Sequence, residues 1–304
     1  MSQHRPTNAS TAAPALVSPG ERREREEAVA FARANVNLEG FTPTRRAELQ
    51  ALQYINGEID LAGSSAWSAR PVPNDPLALA DRAMLEADCA FRRLIELQVQ
   101  PVIGSFDARH LKEINRRIFQ DLPGLGFDDV TPGQYRPAVP DGKDWMKNRG
   151  LSTVEGSFYV AYSRMDAAAQ ARLDSALERA APAKLRAMNT AEFTVSVAWI
   201  YAELDYAHPF SDGNSRTLRT FTKQLAKESG YDIDWNRFAT SPVGRDLLYI
   251  ARDRSVNTLA KPQARDVGTV KKLIYTMDRV SGNRDLPELL RDAVRRRAAG
   301  EGRS

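Results

Sequence analysis

Residues 189–230 read NTAEFTVSVAWIYAELDYAHPFSDGNSRTLRTFTKQLAKESG, and their pattern decides the fold. Asn189 followed three residues later by Glu192 has the spacing of a capping box, so a helix starts there. Phe193, Val197, Ile200 and Leu204 then recur at helical spacing and form one apolar stripe. The stripe ends where Tyr206-Ala207 leads into His208-Pro209. A second helix is expected to begin near Arg216, to bury Leu218, Phe221 and Leu225, and to stop at Gly230. The order is helix, polar loop, helix, and the loop carries a histidine, a carboxylate, a Gly-Asn turn and two arginines.

Working outward, Leu77 to Val99 has helical apolar spacing through Leu85, Phe91, Leu94, Ile95 and Leu97. Asp107 to Gln120 has it through Leu111, Ile114, Ile118 and Phe119. Asp121 to Gly150 is broken by Gly and Pro and reads as an irregular loop or short hairpin. Ser157 to Met188 returns to helical patterning, interrupted at Pro182. Upstream, Glu21 to Val36 favours helix, Gly40 stops it, and Thr42-Pro43 reads as the cap and first position of a second helix ending at Asn56-Gly57. The expected fold is mainly all-α, a helical bundle with one small β-hairpin.

Composition sets the class. The chain has 304 residues, 42% hydrophobic and 27% charged, as in a globular protein. No apolar run approaches the ~20 residues that span a bilayer, and no Sec-type signal is legible at the N-terminus. The single Cys89 excludes an internal disulfide and suits a reducing compartment. A net charge of +4 owes much to the run Arg291 to Arg297. That run reads as a solvated tail or fraying helix end. No aromatics interleave with it to stack bases, so no nucleic-acid partner is expected.

The loop chemistry comes from joint spacing. A histidine before Pro, an Asp-Gly pair and two arginines at a helix start are each ordinary alone. Together, His208 can take a proton near neutral pH and Asp212 is a hard oxygen ligand for Mg²⁺. Gly213 lets backbone approach an anion, and Asn214 tolerates left-handed turns and can donate from its amide. Arg216 and Arg219 lie three apart on one helix side, behind a helix N-terminus that favours phosphate.

The stretch His208-Pro209-Phe210-Ser211-Asp212-Gly213-Asn214-Ser215-Arg216-Thr217-Leu218-Arg219 resembles the Fic-domain signature, HPFx[D/E]GN[G/K]RxxR. Ser215 is the one departure; if its backbone needs φ > 0, Ser costs about 1 kcal/mol over Gly. The resemblance implies a protein adenylyltransferase using Mg²⁺ and ATP, with His208 as base toward a Ser, Thr or Tyr hydroxyl of a target protein. Asp212 would hold the metal, Gly213, Asn214 and Ser215 would form the anion cradle, and Arg216 and Arg219 would hold the phosphates. Fic proteins also carry a hairpin flap that docks the target strand, and Gln134, Tyr135 and Arg136 stand in its place. Arg252 and Asn257 are candidates for lining the adenine pocket.

Upstream, Asn35-Val36-Asn37-Leu38-Glu39-Gly40 resembles the family's inhibitory motif, [S/T]xxxE[G/N], with Asn35 in place of Ser or Thr. The run through Tyr54-Ile55-Asn56-Gly57-Glu58-Ile59 looks like the small VbhA-type antitoxins. Glu39 is then expected to pair with Arg219. The implied organisation is a disordered tail (1–20), an antitoxin-like segment (21–62), a linker (63–76), a Fic core (77–260) and a C-terminal extension (261–304). A cytoplasmic, bacterial location is expected, with secretion as an effector and homo-oligomerisation left open. The alternatives are transfer of another phosphate-linked group, or a catalytically weak Fic-like binding scaffold.

Overall fold

The computed structural model describes residues 17–60 and 79–298. The expected linker, 63–76, lies outside the described residues, as do positions 1–16 of the tail and the last positions of the extension, 299–304. The helices are α1 (Pro19–Leu38), α2 (Arg45–Asn56), α3 (Leu79–Val99), α4 (Ala108–Phe119), α5 (Ala167–Arg179), α6 (Pro182–Arg186), α7 (Thr190–Ala207), α8 (Asn214–Glu228), α9 (Asn236–Ala239), α10 (Pro242–Ala260), α11 (Val267–Arg279) and α12 (Leu286–Leu290). Among the described residues four short strands join them: β1 (Trp145–Arg149), β2 (Phe158–Tyr162), β3 (Tyr231–Ile233) and β4 (Val294–Arg296). The fold is mainly helical, as the spacing predicts.

The central helix is α7. Its capping box forms as expected, with Asn189 and Glu192 each satisfying the other's backbone N–H. Beyond the stripe, Tyr201, Asp205 and Tyr206 are buried too, so the helix is enclosed on most sides by α5, α8, α10 and α12. One narrow face, with Val195 and Trp199, stays exposed. Helix α8 begins at Asn214, two residues earlier than the spacing suggests.

Helix α1 starts inside the segment expected to be a disordered tail. Ser18 caps it by accepting from Glu21 N, and Pro19 occupies its first position. Its buried face, with Val29, Phe31, Ala32, Val36 and Leu38, packs mainly on α3 and joins the main core. The cap of α2 is Thr44 rather than Thr42. Asp88 on α3 decides this, accepting from both Thr44 N at 2.8 Å and Thr44 Oγ1 at 2.6 Å.

Two expectations fail. The hairpin pairs β1 with β2, Lys147 opposite Val160, so the first part of the 157–188 segment is strand and not helix. Phe158-Tyr159-Val160-Ala161-Tyr162 is rich in aromatic and β-branched residues, which suit a pleated surface half-covered by α10 and α11. The C-terminal basic run is neither tail nor helix end: β4 pairs antiparallel with β3, Tyr231 opposite Arg296. Arg297 N donates to Gly230 O at 3.0 Å and closes that ribbon.

Candidate active site

The loop between α7 and α8 is built by backbone constraints. His208 is the C-cap of α7 in the left-handed region (φ 45°, ψ 58°), which costs a non-glycine residue roughly 1–2 kcal/mol. Phe210, 1% exposed, anchors the loop in the core against Tyr135. Asn214 closes it: Oδ1 accepts from Phe210 N at 2.9 Å and Nδ2 donates to Phe210 O at 2.7 Å. The Asn214 amide expected for an anion is therefore spent on the loop itself. Gly213 has φ +71°, and a Cβ there would lie 2.0 Å from Phe119 Cζ. Only glycine meets both conditions. Ser215 sits inside α8 with ordinary helical backbone, so the cost of a positive φ does not arise there.

Arg136 corrects the expected position of the flap. It is 7% exposed and lies under the loop rather than on a docking surface. Its backbone N donates to Pro209 O at 2.8 Å, its Nε to His208 O at 2.8 Å and its Nη2 to Ser163 O at 2.6 Å. Burial without a carboxylate pushes its pKa down to about 9. Tyr135 is half-buried beside Phe210, Gln134 is exposed, and no strand runs through 134–136. The hairpin facing the loop is β1–β2.

The arginines converge on one charged cluster. Arg216 Nη2 donates to Glu86 Oε1 of α3 at 2.5 Å and lies 3.9 Å from Asp212 Oδ1. Arg219, fully buried, is gripped by α1: Nε donates to Asn35 Oδ1 at 2.6 Å, and Nη2 to Asn35 O at 3.0 Å and Glu39 Oε1 at 2.5 Å. Asn35 Nδ2 also reaches Thr220 Oγ1. Burial disfavours the Glu39 charge, but Arg219 and Arg216 outweigh it and hold the carboxyl down at about 2. Two buried donors of the cluster, Arg216 Nε and Arg219 Nη1, have no hydrogen-bond partner. No side chain caps α8, so its first N–H groups face the same loop. These are the features of an anion site. Asp212 is half exposed, and its Oδ1 accepts from Gly213 N at 2.6 Å. Among the described residues no group of three His, Cys, Asp or Glu side chains could hold a metal. Asp212 is one hard ligand and would need phosphate oxygens and water to complete an octahedron.

His208 lies between β1–β2 and α7. Its ring stacks on Tyr162 at 3.8 Å and meets the Trp145 edge at 5.2 Å. Lys147 Nζ lies 3.1 Å from Nε2, and Asp205 Oδ1 lies 3.8 Å from Nδ1. Burial, helped by the nearby cations Lys147 and Arg136, pushes its pKa down to about 3 against the pull of Asp205. The imidazole is thus neutral at physiological pH, with a lone pair for a proton. Asp205 is fully buried and forked by Arg252, Nε to Oδ2 at 2.9 Å and Nη2 to Oδ1 at 3.0 Å. Arg252 is therefore paired below the site. Asn257 is paired as well, bracing β2 through Ala161 N and Tyr159 O. Both side chains are buried in the core, at 1% and 0% exposure, rather than on a pocket wall. Lys147, Tyr162 and Asp205 were missed from sequence, and Arg252 was expected at the adenine rather than on Asp205. Asp205 was findable as the residue one helical turn before His208.

Comparison with known proteins agrees with the motif. Residues 105–226 match the Fic/DOC family and residues 25–64 match antitoxin VbhA. Protein adenylyltransferase VbhT of Bartonella schoenbuchensis is 32% identical over 167 residues, which cover 53% of this chain and 30% of that protein. A protein adenylyltransferase of Bartonella henselae is 24% identical over 146 residues, 48% of this chain and 26% of that one. The chain thus spans less than a third of the length of these two relatives. A solved N-terminal Fic domain of a Bartonella quintana effector with bound ADP is 22% identical at a TM-score of 0.43, covering 74% of this chain and 88% of that one.

Proposed function

We propose that this chain is a protein adenylyltransferase that moves AMP from ATP to a hydroxyl of a target protein, and that its own α1 holds it in check. A target Ser, Thr or Tyr oxygen attacks the α-phosphorus, the bond to the bridging oxygen of the pyrophosphate breaks, and pyrophosphate leaves. His208 Nε2 takes the hydroxyl proton. Backbone N–H groups of Asn214 and Ser215 and the forks of Arg216 and Arg219 hold the phosphates, while the Gly213 N–H of the expected cradle is taken by Asp212 Oδ1. Asp212 would hold Mg²⁺, which neutralises phosphate charge when bound.

The observation that carries this reading is the pair of buried, unpartnered donors, Arg216 Nε and Arg219 Nη1, beside an uncapped helix N-terminus and a neutral histidine. Glu39 supports the regulatory half, because its carboxylate occupies the fork a phosphate would use. On this reading residues 21–62 act as a fused antitoxin to the 77–260 core.

The test is mass spectrometry of the Glu39→Gly chain after incubation with Mg²⁺ and ATP. The expected result is added mass of one AMP on this chain or an added target, lost in Glu39→Gly/His208→Ala. No adduct from ATP, with transfer from a different nucleotide or phosphodiester donor, would reassign the donor. No binding of any nucleotide would leave a scaffold.

A further inference from the structure

Below His208 lies a charged pair that the transfer reaction as written does not use. Asp205 is fully buried, one helical turn before His208 on α7, and both its oxygens are held by Arg252 from α10. Removing two charges from water is costly, and a core helix needs no ion pair at that point for packing. Directly above, His208 Nδ1 is buried and has no hydrogen-bond partner in range, while Asp205 Oδ1 stands 3.8 Å away.

We propose that Asp205, fixed by Arg252, is the positioning residue of the histidine base: it selects the Nδ1–H tautomer of His208 and leaves Nε2 as the proton acceptor. The inference rests on His208 acting as the base, as proposed above.

Two neighbours on opposite sides of the ring demand the same tautomer. A carboxylate only accepts hydrogen bonds, so the nitrogen facing Asp205 must carry the hydrogen. An ammonium only donates, so the nitrogen 3.1 Å from Lys147 Nζ must offer its lone pair. Lys147 comes from β1 and Asp205 from α7, so the two are independent structural contributions. The target hydroxyl takes the place of Lys147 on Nε2 when it docks. Once Nε2 accepts the hydroxyl proton, the ring becomes a cation with both nitrogens protonated, and the Asp205 carboxylate faces the new charge. Closing the Nδ1 to Oδ1 gap by about 1 Å reaches hydrogen-bond range, and such contacts commonly tighten only in the reacting complex. Arg252 performs two tasks: it keeps Asp205 ionised, and it stops the carboxylate rotating away. Tyr162, stacked on the ring at 3.8 Å, limits the tilt of the imidazole.

A purely structural Asp205–Arg252 pair would set neither the tautomer nor kcat. The chain has three histidines, His4, His110 and His208, so ¹⁵N-histidine spectra of the full-length protein are assignable by comparison with His208→Ala. The expected spectrum shows His208 as a neutral ring protonated at Nδ1. A ring protonated at Nε2 overturns the proposal. This measurement needs no nucleotide, so it stands or falls separately from the donor assignment. The second arm is Asp205→Asn in the Glu39→Gly chain. The expected result is a fall of about tenfold or more in kcat, with the KM for ATP within about twofold, and a His208 spectrum shifted toward the other tautomer. An unchanged kcat and an unchanged tautomer in a folded variant overturn it. If Asp205→Asn does not fold, the wild-type tautomer decides alone.

Discussion

Glu39 is the residue whose change reads out most directly. Its carboxyl sits at about 2 rather than the ordinary 4.5 because Arg219 and Arg216 stabilise the charge against the cost of burial. A carboxyl displaced that far prefers its ionised form by about 3 kcal/mol, at 1.36 kcal/mol per pKa unit. The side chain is one-fifth exposed, so solvent screens this coupling only modestly. A phosphate entering the Arg219 fork must displace that charge. Neutral Glu39→Gln keeps the shape and removes the charge, and relieves up to about a hundredfold of the handicap on ATP binding. Glu39→Gly also vacates the space, so labelling should rise in the order wild type, Gln, Gly. Calorimetric titration with Mg²⁺·ATP and transfer of labelled AMP give the two readouts. Equal ATP affinity and equal labelling in folded wild type and Glu39→Gly would refute the reasoning. The sign in pH follows from the same displacement. A depressed carboxyl contributes its hold above its unfolded value and loses it as pH falls through about 2. Wild-type labelling should therefore not rise between pH 8 and pH 5.

Gly213→Ala places a methyl 2.0 Å from the Phe119 ring at a backbone φ of +71°; the expected cost is about 2–4 kcal/mol of stability, read by urea unfolding, and an unchanged midpoint would show that Phe119 can yield. Asp212→Ala should leave the fold intact, since the side chain is half exposed. It should raise the Mg²⁺ concentration needed for half-maximal labelling about tenfold or more, and the same Mg²⁺ dependence as the parent would remove Asp212 as the metal ligand.

The two helices flanking the loop were legible because their caps and apolar periods are local. Asn189 with Glu192, and Phe193 to Leu204, need no knowledge of a partner. The strands were not. Phe158–Tyr162 precedes the Ala-rich start of α5, and its β character depends on Trp145–Arg149 across an intervening turn. Val294–Arg296 pairs with a strand some sixty residues earlier, and a basic run gives no local hint of that. Arg136 was misplaced for a related reason. The resemblance puts a flap upstream of the signature without saying which residues form it, and here backbone carbonyls of Ser163 and His208 hold the Arg136 side chain under the loop. Asn214 shows the reverse: the motif marked it as essential, and the structure assigns its amide to the loop rather than to a ligand.

How the proposed block at Arg219 would be lifted follows from comparing two magnitudes. The Glu39 charge contributes about 3 kcal/mol to the block. Helix α1 as a whole buries Val29, Phe31, Val36 and Leu38 at 2% exposure or less. Exposing those four side chains costs on the order of 10 kcal/mol, at roughly 1.5–3 kcal/mol each, which is comparable with the whole stability of a typical domain. Further ties hold the helix: Arg33 forks Glu48 of α2, and Arg245 of α10 donates to Leu38 O at 3.0 Å. Detaching α1 to free the arginine would therefore undo more structure than the ion pair protects. The economical movement is at the helix end, where Glu39 is followed by Gly40 at φ +87°. Hydrogen exchange on the full chain with and without Mg²⁺·ATP tests this. Amides from Ala28 to Val36 should keep their protection when ATP binds the Glu39→Gln variant, with change confined to about residues 37–41. Loss of protection along all of α1 would mean that the helix leaves as a unit and that its burial is weaker than these side chains imply.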